Sequence, residues 1–471
     1  MKKVTRRDFV RSSAALAASG LAPRSFARAA RTVVNDVSRL NPVEVAEALR
    51  PRSTDEVRAA VRQWKGAISI GGGRFSQGGQ IAEPGSLHLD MRSMNKPVLL
   101  DAQRRVIRVQ AGMRWRDVQD WIDQRDLSVK IMQSFSNFTV GGAVSVNCHG
   151  RYVGRGPVVN SVRAVQLVTA GGEVRELSRT QDAELFRAAI GGYGALGVIT
   201  EVELDLVANS RIERLARAVP LEDYPRFFLG TVLADPGMVM HNADLIPPDF
   251  DLPIAVSWRA TDKALTEQAR LIPRGRSYTK EKNVIWAVTE LPGGASLRKN
   301  LINPAILGKP AVVWRNHEAS LDTASLEPRT RKVSTYLLQE YFVPVDRFLP
   351  FARKLAAVLK AHRVNALNVS IRHSPEDTVS VMRWAPREVF AFVLYYKQRS
   401  NEKASGSARS WTRELIDAAL ENGGRYYLPY RLDATREQFH RAYPEWSTFA
   451  AVKRRVDPEN RFRNLLWDAY L

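Results

Sequence analysis

The chain has 471 residues, with 70 Lys and Arg against 49 Asp and Glu, one Cys and 45% hydrophobic residues. That length exceeds the roughly 100–200 residues usual for one compact core, and ordinary hydrophobicity with 25% charge excludes a disordered or fibrous chain. No run of about 18 or more apolar residues is present, which excludes a membrane-spanning helix, and a lone Cys148 excludes intrachain disulfides, zinc ribbons and iron–sulfur clusters. What remains is a multidomain protein with a formal net charge of +21. Residues 1–29 hold seven Lys and Arg against one acid, Asp8, so +15 stays with the rest of the chain. That remainder is spread through mixed-sign stretches without a block of like charges, which argues against nucleic-acid binding. An anionic substrate or a negatively charged membrane surface is the better use for it.

The segment Met1–Ala30 reads as an address. A basic start precedes the weakly apolar stretch Ala14–Leu21, and Ala27-Arg28-Ala29 supplies the small-x-small pattern of a cleavage site. Thr5-Arg6-Arg7-Asp8-Phe9-Val10 resembles the twin-arginine export signal, which its receptor reads as a paired Arg. The expectation is a signal peptide over residues 1–29 and a periplasmic or extracellular mature protein. Because that route carries folded proteins, a cofactor would be loaded in the cytoplasm.

From about residue 41 helical and strand patterns alternate. Thr54–Trp64 places Val57, Ala60, Val61 and Trp64 at helical spacing behind the capping oxygens of Ser53, Thr54 and Asp55. Ala67–Ile70 reads as a strand running into Gly71-Gly72-Gly73-Arg74-Phe75-Ser76; Leu87–Met91 and Val106–Ala111 read as strands and Trp115–Arg125 as a helix. Val162–Thr169 and Val174–Leu177 flank Gly171-Gly172 as a hairpin, followed by a helix over Asp182–Ile190, a glycine loop over Gly191–Gly197 and a strand over Val198–Val207. After Val207 long strands alternate with helices to about Gln438. The poorly patterned stretch Leu291–Ser334 is expected to be a mobile lid or a surface arm. Asp457–Leu471 is aromatic-rich, which predicts a segment docked back on the protein. The domain boundaries expected are therefore 30–207, 208–438 and 439–471.

Gly192-Tyr193-Gly194-Ala195-Leu196-Gly197 fits G-x-G-x-x-G, but a dinucleotide fingerprint follows a strand and opens a helix, and here a helix precedes and a strand follows. The loop Ile70–Ser76 and the stretch Gln133–Gly150 are of comparable chemistry. In such turns backbone amides approach phosphate oxygens because no Cβ blocks them. Three loops of this kind in one part of the chain point to one long, phosphate-containing ligand.

Taken in order, Gly71–Ser76, Leu89-Asp90-Met91, Val109-Gln110-Ala111-Gly112, Thr139-Val140-Gly141-Gly142-Ala143, His149-Gly150 and Asp182–Gly197 resemble the FAD-binding domain of the vanillyl-alcohol oxidase/p-cresol methylhydroxylase superfamily. Leu338-Gln339-Glu340-Tyr341-Phe342-Val343-Pro344 resembles the substrate-domain strand of its sugar-lactone and alditol oxidase branch, and Asp457-Pro458 with Phe462-Arg463-Asn464 resembles that branch's ending. The resemblance implies an α+β fold: a two-subdomain FAD-binding domain of the p-cresol methylhydroxylase type, roofed by an α+β substrate domain with an antiparallel sheet. It implies FAD held by Gly71, Gly72, Gly73, Arg74, Phe75, Ser76, Asn137, Thr139, Gly141, Gly142, Asn147, His149, Gly150, Gly192, Gly194, Gly197, Ile199 and Asn464. Relatives with covalent flavin carry histidine where this chain has Arg74, and arginine cannot form that bond. FAD is therefore expected to be noncovalent, as in the decaprenylphosphoryl-ribose oxidase branch, with Cys148 a packing residue.

Oxidising an alcohol needs a hydride acceptor, which flavin N5 supplies, and a group that takes the hydroxyl proton. Glu340 lies in the otherwise apolar strand Thr335–Val343 and faces either solvent or a site; its family position favours the site. Asn368, Ser370 and Arg372 share one strand face, with His373 on the other. Arg372 is a candidate to stabilise the alkoxide, and Lys397 is either a third site residue or a solvated strand end. Alditol oxidases have Glu two residues before the matching Arg; Ser370 stands there instead and argues against a polyol. Tyr427 and Tyr430 either line the pocket or pack. The histidines show neither H-x-H nor H-x-x-x-H spacing, so no metal is expected. The expected function is an exported FAD enzyme oxidising a CH–OH group of a sugar, sugar lactone, polyol or related alcohol, with O2 or a respiratory component as electron acceptor. Its rivals are oxidation of a lipid-linked sugar at a membrane surface and a flavin-binding protein without catalysis.

Overall fold

Alternating apolar residues in the first half of the chain build three sheets, the smallest a pairing of Thr32–Val34 with Val43–Val45. Glu47–Leu49, Leu87–Asp90 and Ile68–Gly71 lie side by side in a parallel sheet of three strands. Val174–Ser178, Val162–Val168, Val198–Ala208, Val106–Gln110 and Pro97–Asp101 follow one another across an antiparallel sheet, with Leu127–Val129 paired to the end of Val198–Ala208. A computed structural model describes residues 32–291, 294, 307, 308, 310–328 and 330–471. The export signal expected over residues 1–29 lies outside the described residues. The helix Thr54–Gln63 is capped by Ser53, whose Oγ accepts from the Glu56 amide at 3.2 Å, and it buries Val57, Ala60 and Val61 against the parallel sheet.

The second half forms one eight-stranded sheet, in the order Val312–Trp314, Arg211–Ala218, Ile254–Ala260, Met238–Leu245, Ala366–Ser374, Val389–Arg399, Ser334–Pro344 and Arg425–Tyr426. Ser334–Pro344 and Val389–Arg399 pair along their whole length, from Ser334 opposite Arg399 to Pro344 opposite Val389. The helices Phe348–Ala361 and Glu402–Glu421 cover one face, burying Phe348, Phe351, Leu355, Trp411 and Leu415. The other face looks onto the glycine loops of the first half. Among the described residues no helix is long and apolar enough to cross a membrane.

Three features bear on the sequence expectations. First, Thr32–Leu471 packs as one compact unit, and its largest apolar cluster, from Ile107 to Tyr470, runs across the boundaries expected at 207/208 and 438/439. The C-terminal segment stitches the halves together: Ile68 donates to the Arg461 carbonyl at 2.7 Å and accepts from the Arg463 amide at 3.0 Å, with Phe462 fully buried between them. Second, the glycine stretch Gln133–Gly150 contains a short helix, Val140–Ser145. Glycine is a poor helix former, but a Cβ on Gly141 would stand 2.6 Å from the Ala111 Cβ, so close packing overrides propensity. Third, within Leu291–Ser334 residues 312–320 are packed into the protein instead of forming a surface arm, while Leu291 and Val333 are exposed. Val312–Trp314 joins the large sheet, and the buried Asn316 donates to Asp123 Oδ1 at 2.7 Å and the Leu127 carbonyl at 2.8 Å.

Burial also sets an acid limit. Behind the large sheet, His241 Nδ1 lies 2.8 Å from Ser257 Oγ and its Nε2 3.0 Å from the Tyr224 hydroxyl; burial, then the charge of His373, lowers its pKa to about 3. His88 is lowered to about 4 by burial and then by the charge of Arg74, against the pull of Asp90. Both rings are neutral in the native protein, whereas the unfolded chain takes up protons near the ordinary value of about 6.5. Their stabilising contribution is complete above that value and is lost as pH falls below it, about 2 kcal/mol for each by about pH 5. A His241→Gln variant should therefore show a flatter acid limb in melting temperature against pH, and an unchanged limb would assign the acid loss to other groups.

Candidate active site

Between the open face of the large sheet and the glycine loops lies a cavity of about 380 Å³. One wall is Gly72–Ser76, Gln133–Phe135, Phe138, Thr139 and Cys148–His149; the other is Leu338, Glu340, Asn368, Ser370, Arg372, Val393 and Tyr395, closed by Tyr427 and Tyr430. Strand alternation explains the second wall, since residues two apart face the same way. His373 points to the opposite face, where Nε2 lies 2.8 Å from Glu388 Oε1 and the ring 4.7 Å from that of Phe228.

The register brings the chemistry into one row. Val393 is opposite both Glu340 and Ser370, so these two lie level across the sheet, with Arg372 two residues further along its strand. Glu340 is 2% exposed; its Oε1 is 2.5 Å from His149 Nε2 and its Oε2 accepts from the Tyr430 hydroxyl at 3.1 Å. The His149 ring is packed by Trp384 at 4.8 Å, Phe342 at 5.7 Å and Tyr427 at 6.0 Å. Arg372 also lines the cavity, and its buried Nε has no hydrogen-bond partner among the described residues. Burial lowers its pKa, and the Glu340 carboxylate acts in the opposite direction. Ser370 Oγ and Asn368 Nδ2 both donate to Asp244 Oδ1, at 2.5 and 3.0 Å, which pins that strand face.

A second cavity of about 70 Å³ adjoins the first and shares Gly72, Ser76, Thr139 and Gly142 with it. Gly141, Tyr193, Gly194, Gly197 and Ile199 are among its other lining residues. Gly194 has φ +75° and Gly197 φ +150°, and a Cβ on Gly197 would lie 2.6 Å from the Val168 carbonyl. A side chain at Gly197 would collide with the neighbouring strand at Leu167 and Val168, and Gly194 takes a left-handed backbone, so both positions call for glycine where the chain borders this cavity. A narrow, glycine-lined, hydroxyl-bearing passage leading to a wider chamber fits the FAD expected from the sequence. The diphosphate would lie among Gly72, Ser76, Thr139 and Gly142, and the ring system would lie towards Glu340 and Arg372.

Several residues expected at the site stand behind it. Gly71 packs on His88, to whose Cε1 a Cβ would stand at 2.7 Å. Asn137 spends its amide on Asp322 at 3.0 Å and accepts from the Thr323 amide at 2.8 Å. Asn147, fully buried, donates to Asp377 at 2.8 Å and Ser380 at 2.9 Å, so its side chain faces the second half of the chain. Gly150 sits under the Met132 carbonyl, and the Gly192 carbonyl accepts from Trp467 Nε1 at 3.1 Å. Asn464 caps the helix Leu465–Tyr470 and donates to the Tyr193 carbonyl at 2.9 Å. Lys397 lies beyond the cavity wall in a buried ion pair with Glu290; burial, then the charge of Arg399, lowers its pKa to about 8. Of the remaining cofactor residues, Gly73 donates to Thr139 Oγ1 at 3.1 Å and Phe75 packs on Phe138 at 4.5 Å. Arg74 belongs to the wall while its guanidinium reaches Asp90 Oδ2 at 3.3 Å. Cys148 is buried and its thiol pKa is pushed up by that burial, which leaves little thiolate for a flavin bond. The Tyr430–Glu340–His149 contacts carry no local sequence signal, because 90 and 191 residues separate the partners. Among the described residues no metal-holding cluster occurs.

Comparison with known proteins points to a family. Residues 45–178 match the FAD binding domain family, and residues 312–470 match the family described as D-arabinono-1,4-lactone oxidase. L-gulonolactone oxidase of Mus musculus is 31% identical over 441 residues, covering 88% of this chain and 92% of that protein. Decaprenylphosphoryl-beta-D-ribose oxidase of Mycolicibacterium smegmatis is 24% identical over 451 residues, 93% of this chain and 94% of that protein.

Proposed function

Because the chain belongs to the FAD-linked oxidases of the vanillyl-alcohol oxidase/p-cresol methylhydroxylase superfamily, among its sugar-lactone and decaprenylphosphoryl-ribose oxidases, we propose that it oxidises a CH–OH group of a sugar or sugar lactone at the polar end of the larger cavity. FAD is its cofactor, and it is an oxidoreductase acting on CH–OH donors. The observation that carries the substrate reading is the row of Glu340 and Ser370 with Arg372 beside it, on the wall facing the glycine loops.

When bound, FAD would supply the oxidising power as acceptor of a hydride, which carries both electrons, from the substrate carbon. The chain's part is to hold the alcohol and manage its proton. Arg372 stabilises the alkoxide as it develops, in a site where low dielectric strengthens the interaction. Glu340 is the destination of the hydroxyl proton, held in place by His149. Ser370 is committed to Asp244, so the row has its carboxylate at Glu340, which favours a lactone or sugar over an open-chain polyol.

The test is anaerobic mixing with L-gulono-1,4-lactone, L-galactono-1,4-lactone, D-arabinono-1,4-lactone, free sugars and polyols. Loss of the oxidised flavin band with a lactone or sugar supports the reading, and a band that none of them changes rejects it. Admitting air afterwards distinguishes O2 from a respiratory acceptor. Noncovalent FAD follows from Arg74 and the buried Cys148. Acid precipitation should leave all yellow colour in the supernatant, and colour in the pellet would show a covalent bond.

A second reading, a sugar carried on a membrane lipid, is favoured by the helix Thr279–Glu290. It buries no residue, and Val284, Leu291 and Val333 are exposed near Lys280, Lys282 and Lys332. Co-sedimentation with phosphatidylglycerol vesicles tests it. For localisation we propose twin-arginine export with FAD already bound. Replacing Arg6 and Arg7 with Lys should then retain the protein in the cytoplasm, which cell fractionation would show.

A further inference from the structure

We infer that Tyr430 is the catalytic residue that receives the substrate's hydroxyl proton, passing its own phenolic proton to Glu340 in the same event. The inference rests on the function proposed above and assigns the step within that site. Three observations carry it. Glu340 is almost wholly buried, with Oε1 held by His149 at 2.5 Å, whereas Tyr430 is only half-buried and stands on the cavity wall. The Tyr430 hydroxyl is directed to Glu340 Oε2 at 3.1 Å, so the lone pairs on the phenolic oxygen are the acceptor left for a ligand. Arg372 lines the same cavity, where it can hold the substrate oxygen against the phenol.

The phenol cannot act as a base alone. Burial, then the Glu340 charge, raises its pKa well above the ordinary value, so Tyr430 remains protonated and must give up a proton as it gains one. The balance is closed. The substrate O–H bond breaks as its proton joins Tyr430 Oη. The phenolic O–H bond breaks as its proton joins Glu340 Oε2. The carbon's hydride leaves with two electrons to FAD, and a C=O bond forms. Tyr430 ends as it began, and Glu340 carries one proton. His149 is a positioning residue: fixed by its aromatic neighbours, it holds Oε1 so that Oε2 meets the phenol.

The experiment is anaerobic stopped-flow reduction of the FAD-loaded enzyme by the fastest lactone of the panel, in H2O and D2O, for wild type, Tyr430→Phe, Glu340→Gln and the double variant. Each single substitution should slow flavin reduction by about 10²–10⁴-fold, the scale of acid–base catalysis. The apparent Kd for the lactone, FAD affinity and melting temperature should stay near wild type. Groups acting in series are not additive, so the double variant should be no slower than the worse single one by more than about threefold. The solvent isotope effect of the wild type should vanish in Tyr430→Phe. Reduction of Tyr430→Phe within about threefold of wild type overturns the inference, as does a double variant whose losses multiply. A wild-type flavin that no lactone or sugar reduces rejects the underlying function instead. Lower FAD affinity or melting temperature in Tyr430→Phe, with an unchanged isotope effect, would make Tyr430 structural and also overturn the inference.

Discussion

Replacing Arg372 with methionine lowers anaerobic flavin reduction by about 10²–10³-fold, the usual cost of losing one charge-stabilising donor in a dry site, while the protein retains FAD. The guanidinium lines the cavity, and its buried Nε has no partner among the described residues. Such a group contributes little to folding and is ready for a ligand. Stability should therefore move the opposite way to activity: removing a desolvated, incompletely paired charge leaves the melting temperature unchanged or raises it. Arg372→Lys retains the charge but not the planar fork, so its rate should fall between wild type and Arg372→Met. Stopped-flow absorbance and thermal melting measure both. A methionine variant that reduces flavin within about threefold of wild type would remove Arg372 from the chemistry.

Asp457→Ala is expected to cost about 3–5 kcal/mol of stability, the range for stranding one member of a buried ion pair. Asp457 is 1% exposed; Oδ2 accepts from Lys453 Nζ at 2.5 Å and from the Phe462 amide at 2.8 Å, while Oδ1 accepts from the Arg461 amide at 2.9 Å. One carboxylate thus shapes the turn that feeds Arg461–Arg463 onto Ile68, the strand leading into the Gly71–Ser76 loop. FAD affinity should fall together with stability. Chemical denaturation with and without added FAD provides the measurement. The Asp457→Ala/Lys453→Met pair should recover part of the loss, because no unpaired charge remains buried. A single-variant loss under about 1 kcal/mol would show that the pair is replaceable by water.

Local patterns in the chain reveal much of this fold. Val57, Ala60 and Val61 at helical spacing, and Asn368, Ser370 and Arg372 on one strand face, are readable because periodicities of 3.6 and 2 act over a few residues. The reversed order around Gly192–Gly197 was also legible: a helix, Ala183–Ala189, precedes it and the strand Val198–Ala208 follows. Contacts across the chain are not legible in this way. Asn147 and Asn137 have the chemistry of cofactor ligands, and only their partners at 377–380 and 322–323 show that their amides are committed elsewhere. Lys397 shares the alternation of Val393 and Tyr395 but extends past the cavity to Glu290. The neighbourhood of Glu340 depends on register across three strands and on a loop far earlier in the chain.

The clasp of Asn464 and Trp467 on the carbonyls of Tyr193 and Gly192 also bears on the order of events during synthesis. A ribosome makes the glycine loop some 271 residues before the side chain that fastens it. The nascent protein can therefore assemble most of its sheets while the narrow cavity is still unlatched on one side. Cofactor retention is then expected to be a late event, following the docking of the helix Leu465–Tyr470. A fusion or truncation that disturbs Asn464–Trp467 should yield a protein that is folded yet colourless.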